Sequence, residues 1–115
     1  MIDFIIHSNL TPWGHVWHIV TTDGKGMVSA EIDNEDENTF FIYGLSVTPD
    51  MRKRGIGTEL LKAVEQLGKE INKKRFRINI DKPKNDWLYN FYIKQGYEFW
   101  DEDEQYIYLV KYNKE

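Results

Sequence analysis

Arg52, Gly55 and Gly57 are the residues whose types and spacing best suit chemistry. They stand in "VTPDMRKRGIGTELLKAVEQL" (47–67). There a strand-like run stops at Pro49, three basic residues follow, and an amphipathic segment begins without a conventional cap. A helix start carries about half a unit of positive charge, and its first amides have no partner within the helix. Small residues at that point let several amides converge on one anion. Arg52, Lys53 and Arg54 add mobile positive charge. The chemistry invited is a phosphate or diphosphate seated on main-chain N–H groups. On Gly-x-Gly alone, a solvated basic surface loop is the more common reading. Two familiar phosphate loops are excluded. The nucleotide loop Gly-x-x-x-x-Gly-Lys-Ser/Thr fails because Thr58 follows Gly57 directly. The dinucleotide pattern Gly-x-Gly-x-x-Gly fails because Leu60 stands at the third glycine.

The elements that must position this loop follow from pattern. "HVWHIVTTDGKGMVSAEI" holds two apolar runs about Asp23-Gly24-Lys25-Gly26, which predicts a hairpin. "DNEDEN" (33–38) is a polar turn. "TFFIYGLSV" (39–47) is β-branched and aromatic, hence a strand, ended by Pro49. Gly44 inside it signals a bulge or a close approach. Leu60, Val64, Leu67 and Ile71 recur at helical spacing and predict one buried face from about Gly57 to Ile71. "RFRINI" (75–80) alternates as a strand does. "DWLYNFYIKQG" predicts a short helix capped by Gly96. "YEFW", the acidic turn "DEDE" and "QYIYLVKY" predict a last hairpin. The order β-β-β-α-β-α-β-β predicts an α+β, layered fold with a mixed, mostly antiparallel sheet of about six strands and helices packed on it. Residues 1–16 show no clear pattern.

Bulk numbers bound the rest. A chain of 115 residues predicts one domain spanning 1–115. With no cysteine, disulfide, zinc-thiolate and thiol-nucleophile chemistry are excluded, and a reducing cytoplasmic setting is allowed. "MIDFIIHSNL" has neither the basic region nor the apolar run of a leader, and no segment approaches the roughly 20 apolar residues of a membrane span. A net charge of −4 argues against a nucleic-acid partner. No metal-ligand pattern is visible.

A strand ending "LSVTP", then Arg52-x-x-Gly55-x-Gly57, then an amphipathic helix, resembles the first motif of the GNAT superfamily of acyl-CoA-dependent N-acetyltransferases. "NDWLYNFYIKQGYE" is similar to that family's downstream segment, with Asn85, Phe91, Tyr92, Gly96 and Tyr97 in register. Leu88 stands where alanine is usual. The resemblance runs from roughly Met27 to Lys111. It is poor earlier, where the family usually has two helices beside the acceptor site, so those helices are expected to be reduced or absent.

The resemblance implies acetyl-CoA as co-substrate, its diphosphate held by Arg52, Lys53, Arg54, Gly55, Ile56, Gly57 and Thr58. It implies a cleft between two splayed parallel strands, with Leu45, Ser46 and Val47 along one side, and Asn85 as a helix cap that also contacts coenzyme A. Tyr92 matches the family's general acid, whose phenol donates to the departing thiolate. No acidic residue stands on the strand before the loop, so the base is left open among Glu31, Asp81, His18 and Tyr43, directly or through water. The implied reaction is transfer of an acetyl group to a primary amine of a small molecule or protein. The alternative is a non-catalytic acyl-CoA-binding sensor.

The acidic turns read first as solubilising hairpin ends and second as an attraction for a cationic acceptor. Trp13, Trp17, Trp87 and Trp100 suit either a core or a cation–π acceptor site. A second copy of the chain could supply the short N-terminal wall, so a homodimer is also left open.

Overall fold

The computed structural model describes residues 3–48, 55–82 and 86–113. Its elements are β1 (Phe4–Thr11), β2 (Gly14–Thr21), β3 (Gly26–Ile32), β4 (Thr39–Val47), α1 (Ile56–Glu70), β5 (Arg75–Asp81), α2 (Asp86–Lys94), β6 (Glu98–Glu102) and β7 (Tyr106–Tyr112). They build one mixed sheet of order β1-β2-β3-β4-β5-β7-β6. Only β4 and β5 run parallel; the other neighbours are antiparallel.

Seven strands form, not about six. The additional strand is β1, which pairs with β2 over its full length from Phe4↔Thr21 to Thr11↔Gly14. Its turn is Pro12-Trp13, without the Asn-Gly or Asp-Gly signature of a tight hairpin. Its side chains are largely exposed on both faces, so burial imposes no period of two on the sequence. The remaining elements follow the expected order.

Alternation along β2 to β5 sends Trp17, Ile19, Val28, Ala30, Phe40, Ile42, Phe76, Ile78 and Ile80 to one face. α1 lies on that face, contributing Ile56, Leu60, Leu61 and Val64. Burying each such large side chain is worth about 1.5–3 kcal/mol. Leu67 and Ile71 only flank this core. Instead Gly68 is buried, and a Cβ there would stand 2.5 Å from Phe76 Cε1 and 2.9 Å from Phe40 Cδ2. Glu65 is also buried. It accepts from the Tyr97 hydroxyl at 2.7 Å and from Lys111 Nζ at 3.0 Å, while the same ammonium donates to the Gln95 carbonyl at 2.9 Å. This network ties α1 to the end of α2 and to β7. α2 closes as expected at Gly96: the Tyr97 amide returns to the Tyr92 carbonyl at 3.1 Å, the long bond of a Schellman cap.

Two departures from regularity shape the sheet where β4 ends. β4 and β5 pair only at Thr39↔Arg75, Phe40↔Phe76 and Phe41↔Arg77. Beyond Phe41 they part, while β5 stays with β7 as far as Asp81. In addition, Met27 faces Ser46 but Ser29 faces Tyr43, so Gly44 and Leu45 together oppose Val28. This is the bulge that Gly44 signalled. Its φ of 68° lies in the left-handed region that glycine enters without a Cβ penalty. Among the described residues, no helix is long and apolar enough to cross a membrane.

Candidate active site

The parting of β4 from β5 opens a cleft of ≈ 170 Å³, lined by Leu45, Ser46, Val47, Gly55, Gly57, Thr58, Trp87 and Phe91. Three elements meet in it. The bulged end of β4 supplies Leu45 to Val47, whose backbone has lost β5 as a neighbour. The start of α1 supplies Gly55, Gly57 and Thr58. α2 supplies Trp87 and Phe91.

Gly55 is the N-cap of α1, with φ 76° and no side-chain capping bond. The first bond of the helix runs from the Glu59 amide to the Gly55 carbonyl at 3.0 Å. The amides of Ile56, Gly57 and Thr58 therefore have no partner within the helix. Ile56 sends its side chain into the core and offers the cleft only its backbone. A Cβ on Gly57 would meet Phe91 Cζ at 3.6 Å and Val47 Cγ2 at 4.0 Å. Glycine thus leaves open a channel that a longer side chain would fill. Positive dipole, amides without a partner in the helix and a narrow apolar wall make a place for an anion joined to a slender chain. Arg52, Lys53, Arg54 and Asn85 lie outside the described residues.

Tyr92 follows Phe91 on α2 and is 3% exposed. Its ring meets Phe91 edge-on at 5.3 Å and Tyr97 at 5.6 Å. Among the described residues its hydroxyl has no hydrogen-bond partner. Burial pushes its pKa well above the ordinary phenol value, because the low-dielectric surroundings disfavour a phenolate.

The four candidate bases are spread unequally. His18, Ser29 and Tyr43 are successive cross-strand partners, with His7 opposite His18 on the other side. They form one row on the face of the sheet opposite α1, ending beside the bulge. Ser29 is buried, and its Oγ shares a hydrogen bond of 2.7 Å with His18 Nδ1. It also stands 3.9 Å from where a Gly44 Cβ would project. Burial, then the charge of Glu31, raises the Tyr43 pKa. Glu31 lies one step along the same face. Asp81 ends β5, across the opening from β4.

The tryptophans do not gather. Trp17 belongs to the core, Trp13 tips the β1–β2 turn, and Trp100 lies under the Arg77 guanidinium at 4.4 Å. Only Trp87 reaches the cleft. The acidic turns separate too. Residues 33–38 lie where β4 begins, at the end of the sheet away from the cleft. There Asp36 pairs with Arg75 at 2.6 Å and Asp33 with Arg77 at 3.4 Å. The β6–β7 turn sits by the end of β5, where Asp103 takes the amides of Gln105 and Tyr106 and the Tyr108 hydroxyl. Trp87 and Phe91 as cleft walls were not singled out from sequence. Their signal was the helical spacing i, i+4 on α2, which puts both on one side.

Comparison with known proteins gives three findings. The model of the acetyltransferase (GNAT) family matches residues 5–97, beginning well before the stretch in which the sequence motifs are legible. No curated protein matches the sequence. Among solved structures, the chain is similar to a Desulfovibrio desulfuricans protein assigned to the GNAT family (TM-score 0.78, 16% identity, 84% of this chain and 68% of that one). It is similar to the paiA N-acetyltransferase of Thermoplasma acidophilum in complex with coenzyme A (0.76, 21%, 85% and 61%). It is similar also to a Bacillus subtilis acetyltransferase in complex with CoA (0.75, 13%, 99% and 100%). The chain thus spans less than two thirds of the Thermoplasma protein and the whole length of the Bacillus one. At these identities the structures establish a shared fold.

Proposed function

Because the chain belongs to the acetyltransferase (GNAT) family, we propose that it transfers an acetyl group from acetyl-CoA to a primary amine of a small molecule or protein, with residues 1–115 acting as one catalytic unit. The observation that carries this reading is the meeting of the parted β4–β5 strands with the uncapped start of α1 in a single cleft. Neither feature alone would hold a long thioester with a diphosphate at one end.

In this reading the amides of Ile56, Gly57 and Thr58 bind the diphosphate, with Arg52, Lys53, Arg54 and Asn85 completing the site. The backbone of Leu45, Ser46 and Val47, on the side where β5 has parted from β4, takes the amide-bearing arm, and an amide at the bulge stabilises the oxyanion. Trp87 and Phe91 exclude water. The amine nitrogen attacks the acyl carbon, a C–N bond forms, and the C–S bond breaks. His18 is the base. With Nδ1–H donating to Ser29, its Nε2 accepts the ammonium proton through water. Tyr92 donates a hydrogen bond to the departing thiolate. Its buried phenol is held neutral, so it serves as a donor and does not accumulate as phenolate.

A thiol-release assay with acetyl-CoA and a panel of polyamines, aminoglycosides and lysine peptides tests the proposal. Turnover on at least one amine is expected. Saturable acetyl-CoA binding with no turnover on any amine would replace the transferase with a non-catalytic acyl-CoA sensor.

A further inference from the structure

The sheet ends in two strands that differ in every feature that guards an edge. β6 has five residues, carries Glu98, Asp101 and Glu102, and is irregular between Phe99 and Asp101. Short length, charge and a bulge all discourage a further strand from adding. β1, FIIHSNLT, has eight residues and contains no Lys, Arg, Asp, Glu or Pro. Its register with β2 is unbroken. Ile6 is 53% and Leu10 84% exposed, and Trp13 at the adjoining turn is 77% exposed. Nothing in β1 opposes strand addition.

The direction of its free backbone groups can be derived. The Thr22 amide donates to the Asp3 carbonyl at 3.0 Å, so Asp3 faces β2. By the alternation of an antiparallel ladder, so do Ile5, His7 and Asn9. Phe4, Ile6, Ser8 and Leu10 therefore aim their N–H and C=O groups out of the sheet. A two-fold axis normal to the sheet brings together residues of one face, and these four share a face.

We propose that β1 pairs antiparallel with β1 of a second copy of this chain, Ser8 opposite Ser8 and Ile6 opposite Leu10, so that one sheet runs through both subunits. In this register each exposed apolar side chain of the outward set meets another across the seam. Sliding by one repeat would instead set His7 against His7 and leave Ile6 facing Ser8. A partner edge like β6 would bring carboxylates and a bulge against Ile6 and Leu10, so the self-pair is favoured. It also closes the assembly at two copies, since both unguarded edges are consumed.

The chain has no cysteine, which makes cross-linking clean. Directly opposed residues of a hydrogen-bonded pair have Cα atoms about 5.5 Å apart, inside the roughly 4.4–6.8 Å that a disulfide spans. The unaltered chain should sediment as a dimer at the upper end of a concentration series, and Ser8→Cys should oxidise to a covalent dimer. Asp101→Cys on β6 should stay unlinked. Leu10→Lys should sediment as a monomer with unchanged circular dichroism, because so exposed a leucine contributes little to the core. A monomer at every concentration overturns the proposal. So does a dimer that survives Leu10→Lys while Ser8→Cys fails to cross-link. Acetyl transfer enters none of these readouts, so the inference stands or falls apart from the proposed activity.

Discussion

The Phe91 ring stands 3.6 Å from the point where a Cβ on Gly57 would project, and Val47 Cγ2 stands 4.0 Å from the same point. These are ordinary contacts. A methyl group fits, but a longer side chain must enter the cleft. Gly57→Glu would add bulk and a negative charge beside amides proposed to hold a diphosphate. Acetyl-CoA affinity should fall by more than about 10-fold, or about 1.4 kcal/mol, with little change in melting temperature. Gly57→Ala should keep most of the affinity. Isothermal titration reads both, and full affinity in Gly57→Glu would rule out the diphosphate assignment.

Tyr92 carries a hydroxyl without a partner among the described residues, in a ring otherwise packed by Phe91 and Tyr97. Tyr92→Phe should therefore cost little stability while lowering kcat, by about 10²-fold if the phenol assists the leaving thiolate. The acetyl-CoA Kd should hardly move. Because burial raises its pKa, Tyr92 stays protonated up to at least the ordinary phenol value near 10. The wild-type rate should show no alkaline loss from this residue below that pH. Equal kcat in the two proteins would remove Tyr92 from the chemistry.

Much of this arrangement was legible because local rules and tertiary demand agreed. Leu60 and Val64 announced the face of α1, Asp23-Gly24 the β2–β3 turn, and Gly44 the bulge. What escaped was set by partners distant in sequence. Glu65 reads as a solvated residue between two turns of helix, and only Tyr97 and Lys111 explain its burial. Leu67 and Ile71 fit the helical period, yet Gly68 takes the central place because Phe40 and Phe76 press against it. β1 has no alternation because, among the described residues, its side chains from Ile5 to Leu10 stay exposed on both faces. The cleft was half visible: glycine spacing marked its floor, but the parting of β4 from β5 depends on pairing that no single segment encodes.

His18 shares its face with His7 from β1, Ser29 and Glu31 from β3, and Tyr43 from β4. If His18 collects the amine's proton, His18→Gln keeps a side chain able to bond Ser29 but cannot accept that proton. The kcat/KM for the amine should fall by about 10²-fold at neutral pH, with acetyl-CoA binding intact. The deficit should narrow as pH rises toward the amine's own pKa, since the acceptor then arrives deprotonated. A merely structural role would leave the deficit flat across pH, and that profile would return the base to Glu31, Asp81, Tyr43 or water.

Tyr97 and Tyr92 give the fold its own alkaline limit. Both phenols are buried. Burial raises both pKa values above the ordinary phenol value near 10, and for Tyr97 the charge and hydrogen bond of Glu65 raise it further. In the unfolded chain these groups release their protons near pH 10, whereas the folded chain retains them. Above that pH the unfolded state binds fewer protons, so stability falls as pH rises. It is fully present below about pH 10. Each retained proton contributes a slope of about 1.4 kcal/mol per pH unit, so the pair reaches up to roughly 3 kcal/mol per unit. Urea unfolding from about pH 8 to about pH 11 should show a plateau followed by this decline. Tyr97→Phe should roughly halve the slope while lowering the plateau, because Glu65 then keeps Lys111 alone. An unchanged slope in that variant would mean that the Tyr97 proton is not held by the fold.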